Sequence, residues 1–164
     1  MKHLVFIWLA ISLLAVTHAS VSTIDSCRFD LGEGWKQYSE DGMHRMFKRE
    51  PAPCLITIDV FDTELPKSKS AQYAKNVLPG VLERHGKLTR PVVQEDIAGG
   101  TTMFSLISRD EKADYYGFVV LNVSPKGRFV QFAVEGSGDP MKSFEELYPK
   151  MKSVRWDQES LTSR

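Results

Sequence analysis

The sequence predicts an α+β fold: a mainly antiparallel, twisted sheet of about six to seven strands with two amphipathic helices packed on it. Short runs with an apolar alternation follow one another through turns too brief for a crossover, which makes neighbouring strands antiparallel. Only the segments after Leu65-Pro66 and after Asp139-Pro140 carry the period of a helix with one buried stripe. The 164 residues are 42% hydrophobic and 26% charged, enough for one core and incompatible with a wholly disordered chain.

The strands can be taken in order. Cys27-Arg28-Phe29-Asp30-Leu31 alternates and stops at Gly32 and Gly34, with Trp35 plugging a core edge after the turn. The Asp41-Gly42 turn leads into a strand over 43–49. Pro51 and Pro53 break the chain before Cys54-Leu55-Ile56-Thr57-Ile58-Asp59-Val60-Phe61, where Ile56, Ile58 and Val60 share one face. Ser68 or Ser70 is expected to cap a helix whose stripe is Ala74, Val77, Leu78, Val81 and Leu82, broken near Pro79-Gly80 and stopped at Gly86. His85 then sits at the negative end of that helix.

Strands follow over 92–96 and 101–108, joined by the Ile97-Ala98-Gly99-Gly100 turn, and over 114–123 behind a charged tip at 109–113. The last of these is apolar on both faces, as a central strand requires. Pro125-Lys126-Gly127 turns the chain into a strand over 128–135. Asp139-Pro140 or the Ser143-Phe144-Glu145-Glu146 box starts the second helix, which presents Phe144, Leu147, Tyr148 and Met151. Val154-Arg155-Trp156 forms a final short segment.

Ahead of this domain the chain reads as an export signal. Lys2 and His3 precede the apolar run Leu4 to Val16, which is too short to span a bilayer comfortably, and Thr17-His18-Ala19 offers a small-residue cut site. The expected organisation is a signal peptide at 1–19, a single α+β domain at 20–156 and a polar tail at 157–164. The expected location is the periplasm, or the exterior, after cleavage near Ala19. No later stretch is apolar enough to form a stable membrane span. Lys+Arg and Asp+Glu number 21 each, so there is no field to attract nucleic acid. Cleavage leaves His44 and His85 as the histidines of the mature chain.

In an oxidising compartment Cys27 and Cys54 read first as a structural disulfide, stabilising by about 3 kcal/mol in the chain-entropy picture. The alternative is two buried or reactive thiols, in its sharpest form a cysteine nucleophile served by His44 or His85. Other chemistry is weaker. Gly99-Gly100-Thr101-Thr102 lacks the lysine and helix of a phosphate loop and reads as a turn. Asp59, Asp62 and Glu64 read as solvated strand-end charges. Gly136-Ser137-Gly138 is a flexible turn, not a nucleophile elbow. Asn122-Val123-Ser124 matches a glycosylation sequon but falls on a strand. No catalytic residue, metal ligand or cofactor is assigned. Tyr115 and Tyr116, with Met43, His44, Arg45 and Met46, are candidates for a partner-binding face, since aromatics, Met and Arg recur at interface centres.

Phe29-Asp30-Leu31 with Gly34-Trp35, then Ile56-Thr57-Ile58-Asp59-Val60, the Ser70 helix, Asp96-Ile97-Ala98-Gly99-Gly100-Thr101-Thr102 and the closing Phe144 helix resemble the PsbP/DcrB-like group of small α/β/α sandwiches. The resemblance is one of elements across the mature chain, and Glu33 stands where that turn carries a proline. It implies an accessory, adaptor or binding protein. The leading expectation is therefore an exported non-catalytic protein acting through contacts with another envelope or secreted protein. An immunity protein that neutralises a secreted toxin is a specific variant. An envelope hydrolase using Cys or Ser with His, and a carrier of an apolar ligand between sheet and helix, are the alternatives.

Overall fold

A computed structural model describes residues 21–49 and 54–157. The expected signal peptide and its cut site, the Pro51 and Pro53 break and the tail from 158 onward lie outside the described residues. The elements run β1 (Val21–Ile24), β2 (Cys27–Asp30), β3 (Trp35–Asp41), β4 (His44–Arg49), β5 (Cys54–Phe61), α1 (Lys67–Val81), a single 3-10 turn (Glu83–His85), β6 (Lys87–Asp96), β7 (Thr102–Asp110), β8 (Tyr115–Val123), β9 (Phe129–Ser137), α2 (Pro140–Lys152) and β10 (Arg155–Trp156).

Seven strands form one antiparallel sheet in the order β3-β4-β5-β9-β8-β7-β6, and β1-β2-β10 form a small second sheet. The expected α+β class is the observed one. The small sheet was not expected as a sheet, because the polar Val21–Ile24 and the two-residue β10 carry almost no period of their own.

Alternation along the strands divides the core in two. Ile56, Ile58, Phe118, Val120, Phe132 and Val134 point toward the small sheet and α2, whose Phe29, Phe144, Leu147 and Met151 close over them. Phe104, Leu106, Val119 and Leu121 point the other way and meet Ala74, Leu78 and Leu82 of the α1 side. With cover on both faces, β7 and β8 are buried along nearly their whole length.

Helix ends differ from expectation in one case and agree in the other. Neither Ser68 nor Ser70 caps α1: the N-cap is Pro66, and the Ser70 hydroxyl donates to the Lys67 carbonyl at 2.8 Å. Proline fits here because the first-turn N–H groups have no partner within the helix anyway. The helix runs past Pro79 to Val81 and then tightens into the 3-10 turn, with the His85 N–H donating to Leu82 O at 2.8 Å. Asp139 caps α2 through Met141 N at 2.9 Å, with Pro140 in the first helical turn.

The expected disulfide is corrected. Cys27 lies on β2 opposite Ile24 and Trp156, whereas Cys54 opens β5 between Arg49 and Gly136. Both thiols are free and buried, and they are not near each other. Spacing in sequence says nothing about which sheet a cysteine joins, and these two join different sheets. Burial pushes the Cys27 thiol up to about 12 and raises that of Cys54 as well. The folded protein is therefore expected to be inert to a thiol reagent, and both thiols should react once it is unfolded. An unreactive unfolded chain lighter by two hydrogens would show a bond instead. Asn122 is fully buried, so the folded sequon offers no surface acceptor.

Candidate functional site

Helix α1 packs chiefly on β6, β7 and β8. The same face of β4, β5 and the adjoining part of β9 lies beside that helix and carries a mixed set of side chains. Cross-strand register aligns them in rows: His44, Asp59 and Gln131; Met46, Thr57 and Ala133; Lys48, Leu55 and Glu135. The opposite face of the same strands is closed, because Phe47 enters the core and Arg49 binds Glu146 of α2 while lying 4.9 Å from the Trp35 ring.

A bulge between Gln37 and Ser39 leaves Tyr38 outside the β3–β4 ladder, and its side chain is 69% exposed. Tyr38 helps to line a pocket of about 400 Å³ together with Lys48, Leu55, Tyr115, Glu135 and Ser137. The pocket combines two aromatic rings and an aliphatic floor with one basic and one acidic group.

The acidic group is anchored from behind. Glu135 accepts hydrogen bonds from the Tyr115 hydroxyl and from His85 Nε2 at 3.0 Å, and the Arg84 guanidinium stands 3.6 Å away. His85 is only 3% exposed and stacks on Tyr115 with centroids 5.2 Å apart. Its Nδ1 is buried without a partner. Two glycines make room for the imidazole and its turn. A Cβ on Gly117 would stand 2.7 Å from His85 Cγ, and one on Gly86 would stand 2.4 Å from the Arg109 carbonyl oxygen.

Burial opposes the charge on Glu135, but bonds from Tyr115 and His85 and the charge of Arg84 outweigh it and hold the carboxyl below its ordinary range. Burial and the neighbouring carboxylate push the Tyr115 phenol up to about 12. The pair is thus a fixed carboxylate and a fixed phenol, suited to presenting a charge and a ring rather than to exchanging protons near neutrality.

A depressed folded-state pKa means that Glu135 stabilises the protein above its unfolded-state pKa. That contribution is lost as pH falls through the folded value. Wild type should accordingly lose urea stability on acidification more steeply than Glu135→Gln, and parallel curves would contradict the arrangement.

The expected partner-binding residues are separated by strand alternation. Tyr115 lines the pocket, but Tyr116 faces the other way, is 2% exposed and donates to Ser143 Oγ at 2.6 Å. It is a core residue and, contrary to expectation, presents no surface to a partner. His44 lies on the same sheet face as the pocket, two rows from Lys48, paired with Asp59 at 2.5 Å. Arg45 belongs to the opposite alternation and is held by Glu40 at 2.9 Å and the Gly42 carbonyl at 2.6 Å. Sequence reasoning missed Tyr38, Lys48, Leu55 and Glu135. The one available signal was Tyr38, a lone ring in the otherwise polar stretch Lys36 to Asp41.

The expected cysteine nucleophile finds no support, since both thiols are pushed up by burial and His44 and His85 are bound to carboxylates. Among the described residues no group of three or more His, Cys, Asp or Glu side chains is placed to hold a metal ion. No described helix is long and apolar enough to cross a membrane.

The whole arrangement matches a known architecture. The solution structure of cyanobacterial PsbP (CyanoP) from Synechocystis sp. PCC 6803 superposes with a TM-score of 0.57, covering 87% of this chain and 96% of that one. The fold is PsbP-like. Identity over that superposition is 14%, so the likeness extends to the architecture and transfers no residue role. A crystal structure from Bacteroides thetaiotaomicron VPI-5482 aligns at a TM-score of 0.49 and 13% identity, over 85% of this chain and 48% of that one. No protein-family model and no curated protein matches the sequence.

Proposed function

We propose that the protein is an exported, non-catalytic accessory protein that holds another envelope or secreted protein through the groove at Tyr38, Leu55 and Tyr115. The observation that carries the reading is the exposed Tyr38, lifted out of its ladder by a bulge and set over an apolar floor. A ring exposed in this way gains little in the free protein and much when a partner covers it. The PsbP-like fold supports the accessory role, and the expected export signal at 1–19 supports the periplasmic location.

The test compares wild type with Leu55→Arg, a half-buried position on the open face where a cation is tolerated by the fold but not by an apolar anchor. Wild type should retain a stoichiometric partner from a gentle periplasmic extract, and the variant should lose it with an unchanged Tm. Equal retention by both would remove the groove from the account, and retention by neither would remove the binding role. A toxin as the retained partner would select the immunity reading.

A further inference from the structure

At the far end of the sandwich four chain segments converge. Along β8 that end lies about 27 Å from the Tyr115 groove, at the usual rise per strand residue. The β6–β7 turn packs on the β8–β9 turn so closely that a Cβ on Gly100 would stand 3.3 Å from Pro125 Cγ. The chain after α2 returns beside the β1–β2 turn, where Asp157 N donates to Ser26 O at 2.8 Å. Between these segments lies a pocket of about 440 Å³, lined by Lys126, Arg128 and Arg155 together with Ser26, Thr101, Ser124 and Trp156.

Its charges do not balance. Asp157 also lines the pocket but is taken by Arg28 at 2.8 Å, and Asp25 is taken by Arg128. Lys126 and Arg155 have no ion-pair partner among the described residues. Arg155 is set directly opposite Arg28 in the β2–β10 ladder, so the Arg28–Asp157 pair does not neutralise it. Three lining residues also hold a buried polar atom with no hydrogen-bond partner among the described residues: Ser124 Oγ, Arg128 Nε and Trp156 Nε1. These atoms lie behind the pocket wall, so its accessible donors are the exposed Lys126 and Arg155.

We infer that this pocket is a second binding site, for a compact anion bearing phosphoryl oxygens. Several acceptor oxygens on one centre match a donor set that combines guanidinium and ammonium groups. The site shares no lining residue with the groove, so either can fail without the other.

The experiment follows backbone and indole N–H signals by NMR while inorganic phosphate is added at constant ionic strength. Saturable shifts are expected at the Trp156 indole and over residues 124–128, and Lys126→Gln and Arg155→Gln should each weaken binding by about tenfold. Both side chains are exposed and unpaired, so the variants should keep the wild-type spectrum elsewhere. Vesicles of phosphatidylglycerol, compared with phosphatidylcholine, separate the sources. Sedimentation with the former that phosphate displaces assigns the site to a lipid headgroup, and phosphate shifts without sedimentation assign it to a soluble phosphate compound. Shifts scattered over all basic side chains, or unchanged in both variants, would overturn the inference.

Discussion

Replacing Gly86 by alanine is expected to destabilise the protein by about 3–5 kcal/mol, the sum of backbone strain and overpacking. Gly86 has φ +93 and follows the 3-10 turn that carries His85, just before β6. An added Cβ would meet the Arg109 carbonyl oxygen at 2.4 Å, its carbon at 2.6 Å and Asp110 N at 2.7 Å, all backbone atoms of β7. This backbone, at the end of β7 but paired with both β6 and β8, cannot swing away as a side-chain tip can, so the turn must move instead. His85 moves with it, and the stacked Tyr115 and the bonded Glu135 lose their support. Gly138→Ala is the internal comparison: its φ is +92 with nothing within 4 Å, so only the strain, about 1–2 kcal/mol, should appear. Urea denaturation of the two variants separates the contributions, and equal losses would contradict the steric argument.

Phe132→Ala should cost about 3–5 kcal/mol through the cavity it leaves. Phe132 is fully buried at the centre of β9 and meets Phe29 of the small sheet edge-on, centroids 5.9 Å apart. Phe29 in turn packs edge-on against Phe47 at 5.9 Å. The ring therefore ties the small sheet to the large one, and neighbours fixed in two sheets cannot collapse into the void. Phe61→Ala is milder, about 1–2 kcal/mol, because Phe61 is only half-buried and stacks on Phe129 at 4.4 Å on the other face. A loss for Phe132→Ala no larger than that for Phe61→Ala would mean that the small sheet is not anchored there.

The sheet was legible because period and turn chemistry agree. Ile56, Ile58 and Val60 alternate, Gly42 and Gly99 mark hairpins, and the strand expected over 114–123, apolar on both faces, announces its interior place. The two helices were legible from Asp139-Pro140 and from stripes, although Val77 of the first stripe is 41% exposed. Other features were not. Strand β3 was not expected, and the strand at Cys27 belongs to the small sheet instead of the large one. Strand β10 is a bridge made by tertiary position, with no local preference behind it. Tyr38 is exposed because of a bulge, and a one-residue insertion in a ladder leaves no mark in a polar stretch. Tyr115 and Tyr116 look alike in sequence, yet alternation sends one to a groove and the other to the core, and only the cover on each face decides which. The cysteine pairing failed for a related reason, since local spacing does not tell which sheet a strand joins.

The central claim is that partner contact occurs at the face bearing Tyr38. Placing a photoreactive amino acid at position 38 in the exporting cell, with position 111 on the charged β7–β8 tip as comparison, tests it at residue level. The account predicts one discrete adduct on illumination at position 38, none at position 111, and loss of the first adduct when Leu55→Arg is added. An adduct at 111 alone, or one at 38 that survives Leu55→Arg, would contradict it.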